Sequence, residues 1–445
     1  MDKLVKKAAF LSLGCKVNAY ETEVIQKSFE DQGFETVPFD EKADVYVVNT
    51  CTVTNIADRK SRQMLHKAKK GNNDAVVIAV GCYVQAPQCT LVTDDSVDIL
   101  VGNNEKSKVY EKYAEYVRFR EEGREYIKKH PDDQGAEYEN LFVTSAGERT
   151  RANIKIQDGC NQFCTYCIIP YVRGRIRSRR LEDILSEAKA LANAGYKEIV
   201  LTGIHVSSYG KDFDCEVSLI DVLEALNDVE GIERIRLSSL EPRVVTDEFA
   251  KRVSALSKVC PHFHLSLQSG SAGVLKRMNR HYTPSEYLEA VERLKKVYDR
   301  PAITTDIIVG FPGETEEEFL ETCEFAKACG FSKIHIFPYS IRTGTKAAEM
   351  EGQLPESLKK ERAGRLARVE RELAESYRST FIGQEDLVLF EEQIELFNET
   401  YMVGHTTRYV KVAAKCKEDL SGKICKISSL KVLNRDIITG ECDSL

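Results

Sequence analysis

NIKIQDGCNQFCTYC, residues 153–167, decides how this chain is read. Ile154 and Ile156 alternate with polar residues into Asp158-Gly159, the pattern of a strand running into a turn. Cys160, Cys164 and Cys167 follow at once, spaced C-x3-C-x2-C, and the next cysteine is Cys215. A closed zinc site takes four ligands. Three thiolates suit a [4Fe–4S] cluster held by three of its irons, with the fourth left open. The competing reading is a structural zinc knuckle whose fourth ligand comes from a distance.

That strand is the first of six. EIVLTG (198–203), RIRLSSL (234–240), HFHLSLQ (262–268), TTDIIVG (304–310) and KIHIFPY (333–339) repeat the pattern with helical stretches between them. In LEDILSEAKALANAG, the residues Leu181, Ile184, Leu185, Ala188, Leu191 and Ala192 form a stripe that must bury against a sheet. Six βα units over 146–377 predict a parallel, barrel-like sheet, two units short of a full (β/α)8 barrel. Chemistry in such sheets sits at the carboxyl ends of the strands, where the three cysteines lie. A long charged helix, PESLKKERAGRLARVERELAESYRS (355–379), closes the unit.

Upstream, AAFLSLG (8–14), DVYVVNT (44–50) and AVVIAVG (75–81) read as buried parallel strands, with VDILVG (97–102) a fourth. Residues 1–118 are therefore an open parallel α/β sheet. Cys15, Cys51 and Cys82 each follow one of these runs. Neighbouring strand ends would bring them together as a second three-thiolate site. Otherwise they are buried cysteines that pack as small hydrophobes. Residues 119–145 are charged, lack apolar periodicity and read as a linker with some helix at its start. In 378–445, DLVLFEE, TYMVGHT, YVKVAAK and GKICKIS predict a small antiparallel β-barrel, a shape often used to bind nucleic acid. The fold class is multi-domain α/β.

The 445 residues carry a net charge of −7, which argues against nonspecific coating of nucleic acid. Two local basic runs stand out, RKSRQMLHKAKK (59–70) and RGRIRSRR (173–180). No apolar run approaches the ~20 residues of a membrane span. The N-terminus reads as a first strand rather than a signal peptide, so a cytoplasmic location is expected. Fourteen cysteines in such a protein point to metal ligation or catalysis rather than disulfides. Cys89, Cys215, Cys260, Cys323, Cys329, Cys416, Cys425 and Cys442 form no comparable set.

C-x3-C-x2-C after a barrel strand resembles the radical S-adenosylmethionine superfamily. With LGCKVNAYE (13–21), NTCTVTNIADRKSR (49–62), Gly81-Cys82, QDGCNQFCTYCIIPYVRGRIRSR (157–179), LTGIHVSSYG (201–210), LSSLEP (237–242), SLQSGS (266–271), DIIVGFPGET (306–315) and FPYSIRTGT (337–345), the chain resembles the methylthiotransferases. The segments VLFEE and VGHTTRYVKV resemble a TRAM domain. GCKVNAYE and NTCTVTNIADRKSR are similar to the branch acting on N6-threonylcarbamoyladenosine beside the tRNA anticodon; the isopentenyladenosine branch usually has GCQMN at that point.

The resemblance implies two [4Fe–4S] clusters and two molecules of S-adenosylmethionine per turnover. The cluster on Cys160, Cys164 and Cys167 would cleave one to a 5′-deoxyadenosyl radical, which removes hydrogen from carbon 2 of the adenine. The cluster on Cys15, Cys51 and Cys82 would present the sulfur, methylated by the other. Implied cofactor contacts are Thr202, Gly203, His205, Ser238, Ser239, Glu241 and Gln268, with Tyr339 and Arg342 contacting cofactor or RNA. The Gly310–Gly313 loop matches the adenine-side segment. Gly203 is equally explained by a tight turn and Ser238 and Ser239 by helix capping. Arg173, Arg175, Arg177 and Arg179 would hold phosphates of the anticodon stem-loop, unless they form salt bridges. His405, Arg408, Tyr409 and Lys411 would be further RNA contacts, Tyr409 stacking on a base or buried in the core. An electron donor such as flavodoxin or ferredoxin and an unspecified sulfur donor are implied, with no membrane. Alternatives are a methylthiotransferase acting on isopentenyladenosine tRNA or a ribosomal-protein aspartate, a single-cluster radical enzyme, and a noncatalytic metal-binding RNA-binding protein.

Overall fold

A computed structural model describes residues 5–131, 137–143, 150–416 and 418–442. The N-terminal strands are β1 (Lys7–Ser12), β2 (Glu35–Val37), β3 (Val45–Thr50), β4 (Val76–Gly81) and β5 (Ile99–Val101). They form one parallel sheet ordered β2-β1-β3-β4-β5. Every residue of β3 and β4 is buried, as continuous apolar runs covered on both faces require. The short β2 has no apolar run and escapes the sequence pattern. Helix α1 (Lys16–Glu30) follows β1, α2 (Asn55–Gly71) follows β3, and the single turn α3 (Cys82–Gln85) follows β4. The Thr54 hydroxyl caps α2 by accepting from the Ala57 amide at 3.2 Å.

The central unit holds all six expected strands: β6 (Arg151–Asp158), β8 (Glu198–Gly203), β9 (Arg234–Leu237), β10 (His262–His264), β11 (Ala302–Val309) and β12 (Lys333–Pro338). A two-residue strand, β7 (Arg177–Ser178), adds antiparallel to β6. Isolated bridges Ile235–Val259 and Leu240–Leu265 join the β6–β9 and β10–β12 sheets into one open barrel. The helix Glu356–Ser379 packs back onto it.

Part of the expected linker is structural. Leu141 and Val143 are buried in the barrel core. Tyr20 of α1 donates to the Leu141 carbonyl (2.8 Å), and the Val143 amide donates to Glu187 (2.7 Å). Two apolar residues that pack across a domain junction show no periodicity, so the sequence pattern misses them.

The C-terminal unit is a closed barrel of β13 (Asp386–Leu396), β14 (Glu399–Thr406), β15 (Lys411–Ala414), β16 (Ile424–Val432) and β17 (Ile438–Cys442), ordered β13-β14-β15-β17-β16. It departs from a purely antiparallel barrel, because β15 and β17 pair in parallel to close it. It docks through arginines of the central sheet. Arg234 donates to the carbonyls of His405 (3.1 Å) and Leu387 (2.9 Å), Arg236 to those of Thr406 and Thr407 (3.3 and 3.0 Å), and Arg151 pairs with Glu391 (2.8 Å).

Candidate active site

β1, β3 and β4 are neighbours in register, with Ser12 opposite Asn49 and Thr50 opposite Gly81. Their carboxyl ends therefore deliver Cys15, Cys51 and Cys82 side by side. Gly14 has φ +94°, and a Cβ there would lie 2.6 Å from the Cys51 sulfur, so only glycine lets the first ligand loop pass the second ligand. Asn18 of α1 ties the ends together by donating to the carbonyls of Leu13 (2.7 Å) and Thr50 (2.9 Å).

The other trio sits on the loop after β6. Gly159 has φ +70°, and a Cβ there would lie 1.8 Å from the Arg175 carbonyl oxygen. Cys160 follows directly, its amide bonded to the Gly174 carbonyl at 3.0 Å. Arg280, which sequence reasoning missed, donates to the Cys164 sulfur at 3.2 Å.

The donor sets fit clusters rather than single ions. Among the described residues, the one group of three ligand atoms drawn within 4.8 Å of one another is His264, Asp306 and His335; neither cysteine trio is drawn that close. Sulfurs on one zinc lie about 3.8 Å apart, given bonds of ~2.3 Å in a tetrahedron. Sulfurs not all within 4.8 Å of one another leave room for a larger inorganic core. Burial, then the neighbouring thiols, push Cys51 and Cys167 up to about 12, and burial pushes Cys160 up to about 11. Crowded thiols of this kind ionise against a bound cation, as metal ligands do.

Arg173 corrects the expected RNA surface. Its side chain is fully buried, and all its donors are engaged: Nε on the Cys82 sulfur (3.2 Å), the others on Glu21 (3.0 Å), Asp158 (3.1 Å) and Asn18 (2.7 Å). Lys155 pairs with Glu21 (2.8 Å) and Asp158 (2.6 Å), and Lys106 also binds Glu21. Burial opposes ionisation of Glu21, yet these cations hold its carboxyl well below the usual range. Arg177 also reaches Asp158 at 3.7 Å, so four cations face two carboxylates, and one of them is aimed at a sulfur. Arg179 is buried on Glu187, and Arg177 bonds the Arg173 carbonyl (2.8 Å) and Asn104, so neither is a free phosphate contact. Arg175 remains exposed, lying over the Phe163 ring at 4.5 Å.

Two cavities open between the trios. The smaller, about 150 Å³, is lined by Cys160, Cys164 and Cys167 together with His205, Ser239, Glu241, Gln268 and Arg280. Burial works against ionisation of Glu241, but His205 beside it (3.4 Å) and Arg243 (2.8 Å) hold its carboxyl down to about 2. Gln268 has φ +71°, a strained conformation for a non-glycine residue at a cavity wall. The larger cavity, about 820 Å³, is lined by Cys15, Lys16, Thr202, Gly203, Ser238 and the turn His405–Lys411. The two share Ile169, Ile204 and Ser239, so the cavity that holds Cys160, Cys164 and Cys167 adjoins the one that Cys15 lines, while Cys51 and Cys82 are buried behind it.

Other expected residues lie elsewhere. Tyr339 is buried against Phe311, ring centroids 5.4 Å apart, outside both cavities. Arg342 is buried and clamps α2 through Asp58 at 2.5 Å and Thr52. The Gly310–Gly313 loop packs on the helix Glu356–Ser379, where a Cβ on Gly310 would lie 2.4 Å from Lys359. His405, Arg408, Tyr409 and Lys411 line the large cavity, with Tyr409 still exposed at its mouth. The Tyr409 ring is already stacked on His405 (4.4 Å) and His262 (5.0 Å), so it is not free for a base. Glu21 and Arg280 sit outside the cysteine motifs, and no sequence spacing marks them.

Residues 154–326 match the Radical SAM superfamily and 7–102 the family described as Uncharacterized protein family UPF0004. The chain is 46% identical over 426 residues to the Threonylcarbamoyladenosine tRNA methylthiotransferase MtaB of Bacillus subtilis, covering 95% of this chain and 93% of that one. It is 36% identical to a tRNA-2-methylthio-N(6)-dimethylallyladenosine synthase of Clostridium botulinum, covering 96% and 95%. In structure it is similar to TsrM, a radical S-adenosylmethionine methyltransferase of Kitasatospora setae, with a TM-score of 0.55 at 15% identity over 75% of this chain and 73% of that one; at that identity the likeness concerns the fold alone. With two cysteine trios at strand ends and 46% identity over nearly the full length of a relative, the chain belongs to the radical SAM methylthiotransferase family.

Proposed function

We propose that this protein places a methylthio group on carbon 2 of N6-threonylcarbamoyladenosine next to the anticodon of tRNA. The observation that carries the reading is the pair of adjoining cavities, one lined by Cys160, Cys164 and Cys167 and the other by Cys15. The 46% identity to a relative bearing that activity in its name supports the substrate. Family membership implies a [4Fe–4S] cluster and S-adenosylmethionine; a second cluster, on Cys15, Cys51 and Cys82, is part of the proposal. When bound, these groups supply the electron, the radical and the sulfur.

The chain's own residues do the rest. Arg280 and Arg173 donate to the sulfurs of Cys164 and Cys82 and so fix their positions. Ionised Glu241, beside His205, Gln268 and Ser239, offers acceptors and donors for the polar methionine end of the cofactor. Ile169 and Ile204, shared by both cavities, line the passage with apolar surface, which protects a reactive intermediate from water. The large cavity lies within the ~300–1,000 Å³ range of small-molecule sites and so suits one nucleoside turned out of the anticodon loop. Exposed Arg175, at the start of the surface leading from Cys167, is placed to meet the RNA backbone. Among the described residues no helix is long and apolar enough to cross a membrane; the proposal places the enzyme in the cytoplasm, drawing electrons from a small carrier such as flavodoxin or ferredoxin.

The test is mass spectrometry of tRNA nucleosides from the host with and without the gene. Loss of 2-methylthio-N6-threonylcarbamoyladenosine, with its unthiolated precursor accumulating, is expected. A shift confined to the isopentenyl pool moves the substrate to that branch, and a change in neither moves it to a protein.

A further inference from the structure

The large cavity carries more charge than cluster ligation uses. Six lysines and arginines line it against two aspartates, Asp306 and Asp436. Asp306 is taken by His264 at 3.2 Å, and Asp436 is exposed at the rim. The imbalance is sharpest around Lys16, the first residue of α1, which directly follows Cys15. Beside it Glu198 already serves Arg236 (2.7 Å), Arg234 (3.7 Å) and Arg151 (4.0 Å), while Glu391 serves Arg151 (2.8 Å) and His405 (2.5 Å). Among the described residues Lys16 has no ion-pair or hydrogen-bond partner. The turn it begins has no acidic residue and no side-chain cap, so the positive end of a 15-residue helix adds to its charge. Arg151, Arg234 and Arg236 thus take up both carboxylates, which leaves Lys16, exposed at the cavity wall, as a cation with no counter-charge and suited to an anion.

We infer that Lys16 forms the subsite that binds the carboxylate of the substrate's threonylcarbamoyl arm. The inference rests on the substrate reading above and deepens it. A threonylcarbamoyl group carries one carboxylate at the end of a short polar arm, and Lys16 lies beside a cluster ligand. Holding the arm there would set the adenine's register against the sulfur delivered near Cys15. An apolar arm on the same nitrogen would leave Lys16 and its neighbours without a counter-charge.

The test is a binding cycle on the cluster-loaded enzyme. Wild type and Lys16→Met are titrated with three anticodon stem-loops carrying the threonylcarbamoyl group, its carboxyl methyl ester, or plain adenosine. A charge-assisted contact gives wild type about 10- to 100-fold preference for the acid over the ester. Lys16→Met should lose that preference, bind acid and ester alike, and keep its affinity for plain adenosine; Lys16→Arg should restore part of the preference. An equal loss by Lys16→Met on all three RNAs would make Lys16 a phosphate contact and overturn the assignment, as would an unaltered preference in the variant. Iron content and the visible spectrum of each variant show that the neighbouring cluster is intact, and a variant that loses it is replaced by the ester comparison in wild type, where equal binding of acid and ester overturns the subsite. Failure of the substrate reading looks different: wild type then converts an isopentenyl stem-loop and leaves the threonylcarbamoyl one unchanged.

Discussion

The two cysteine trios reach similar chemistry by opposite routes. Cys160, Cys164 and Cys167 lie within eight residues on one loop, placed by Gly159 and charge-balanced by a single arginine, Arg280. Cys15, Cys51 and Cys82 come from three strand ends, and their balancing charge, Arg173, arrives from the other domain inside a buried ionic cluster. A local motif needs only its turn. A dispersed one needs a sheet in register and a domain interface, so damage far from the sulfurs should reach it.

The largest expected effect is on the dispersed side. Glu21→Ala would leave Arg173, Lys106 and Lys155 buried around one carboxylate, and removing one partner of a buried pair costs about 3–5 kcal/mol. Denaturant unfolding should show that loss, with the cluster on Cys15, Cys51 and Cys82 failing first. Stability unchanged within error would mean that the ionic cluster does not hold the domains together. On the local side, Gly159→Ala adds a clash with the Arg175 carbonyl to the ~1–3 kcal/mol of a left-handed non-glycine residue. Iron analysis should show about half the metal lost, since one four-iron site fails and the other stays; loss of all the iron would contradict independent assembly.

A smaller effect separates the trios by pH. Glu241, in the local cavity, is held down to about 2 from an ordinary 4.5. A depressed carboxyl contributes stability that is present above 4.5 and fades as pH falls towards 2. Glu241→Gln should flatten that part of the acid-unfolding curve, and an unaltered curve would count against the His205–Glu241–Arg243 arrangement. The smallest effect belongs to Arg175. Its replacement by alanine should stay within about 0.5 kcal/mol in stability, as exposed sites do, and lower the salt dependence of RNA binding by about one charge. An unchanged salt slope would remove Arg175 from the RNA path.

The arginine run shows where reading by residue type stops. RGRIRSRR looks basic and exposed, yet Arg173 and Arg179 are buried and Arg175, which lies between them, is not. Composition reports charge, whereas the partners that make burial affordable, Glu21 and Glu187, lie 152 and 8 residues away. The same holds for Tyr409, whose stacking partner His262 belongs to another domain.

The sequence by itself determined the six-strand central repeat, the parallel N-terminal sheet and both cysteine trios. Strand periodicity and ligand spacing are local properties, and the carboxyl-end rule then places the cysteines. Only the tertiary structure decided that Cys15 lines a cavity adjoining the one that holds the other trio, that Arg173 serves a sulfur rather than a phosphate, and that Lys16 faces the large cavity beside carboxylates already engaged by arginines. Those facts depend on electrostatic balance among groups far apart in the chain, and charge pairing acts across space with no imprint on sequence spacing.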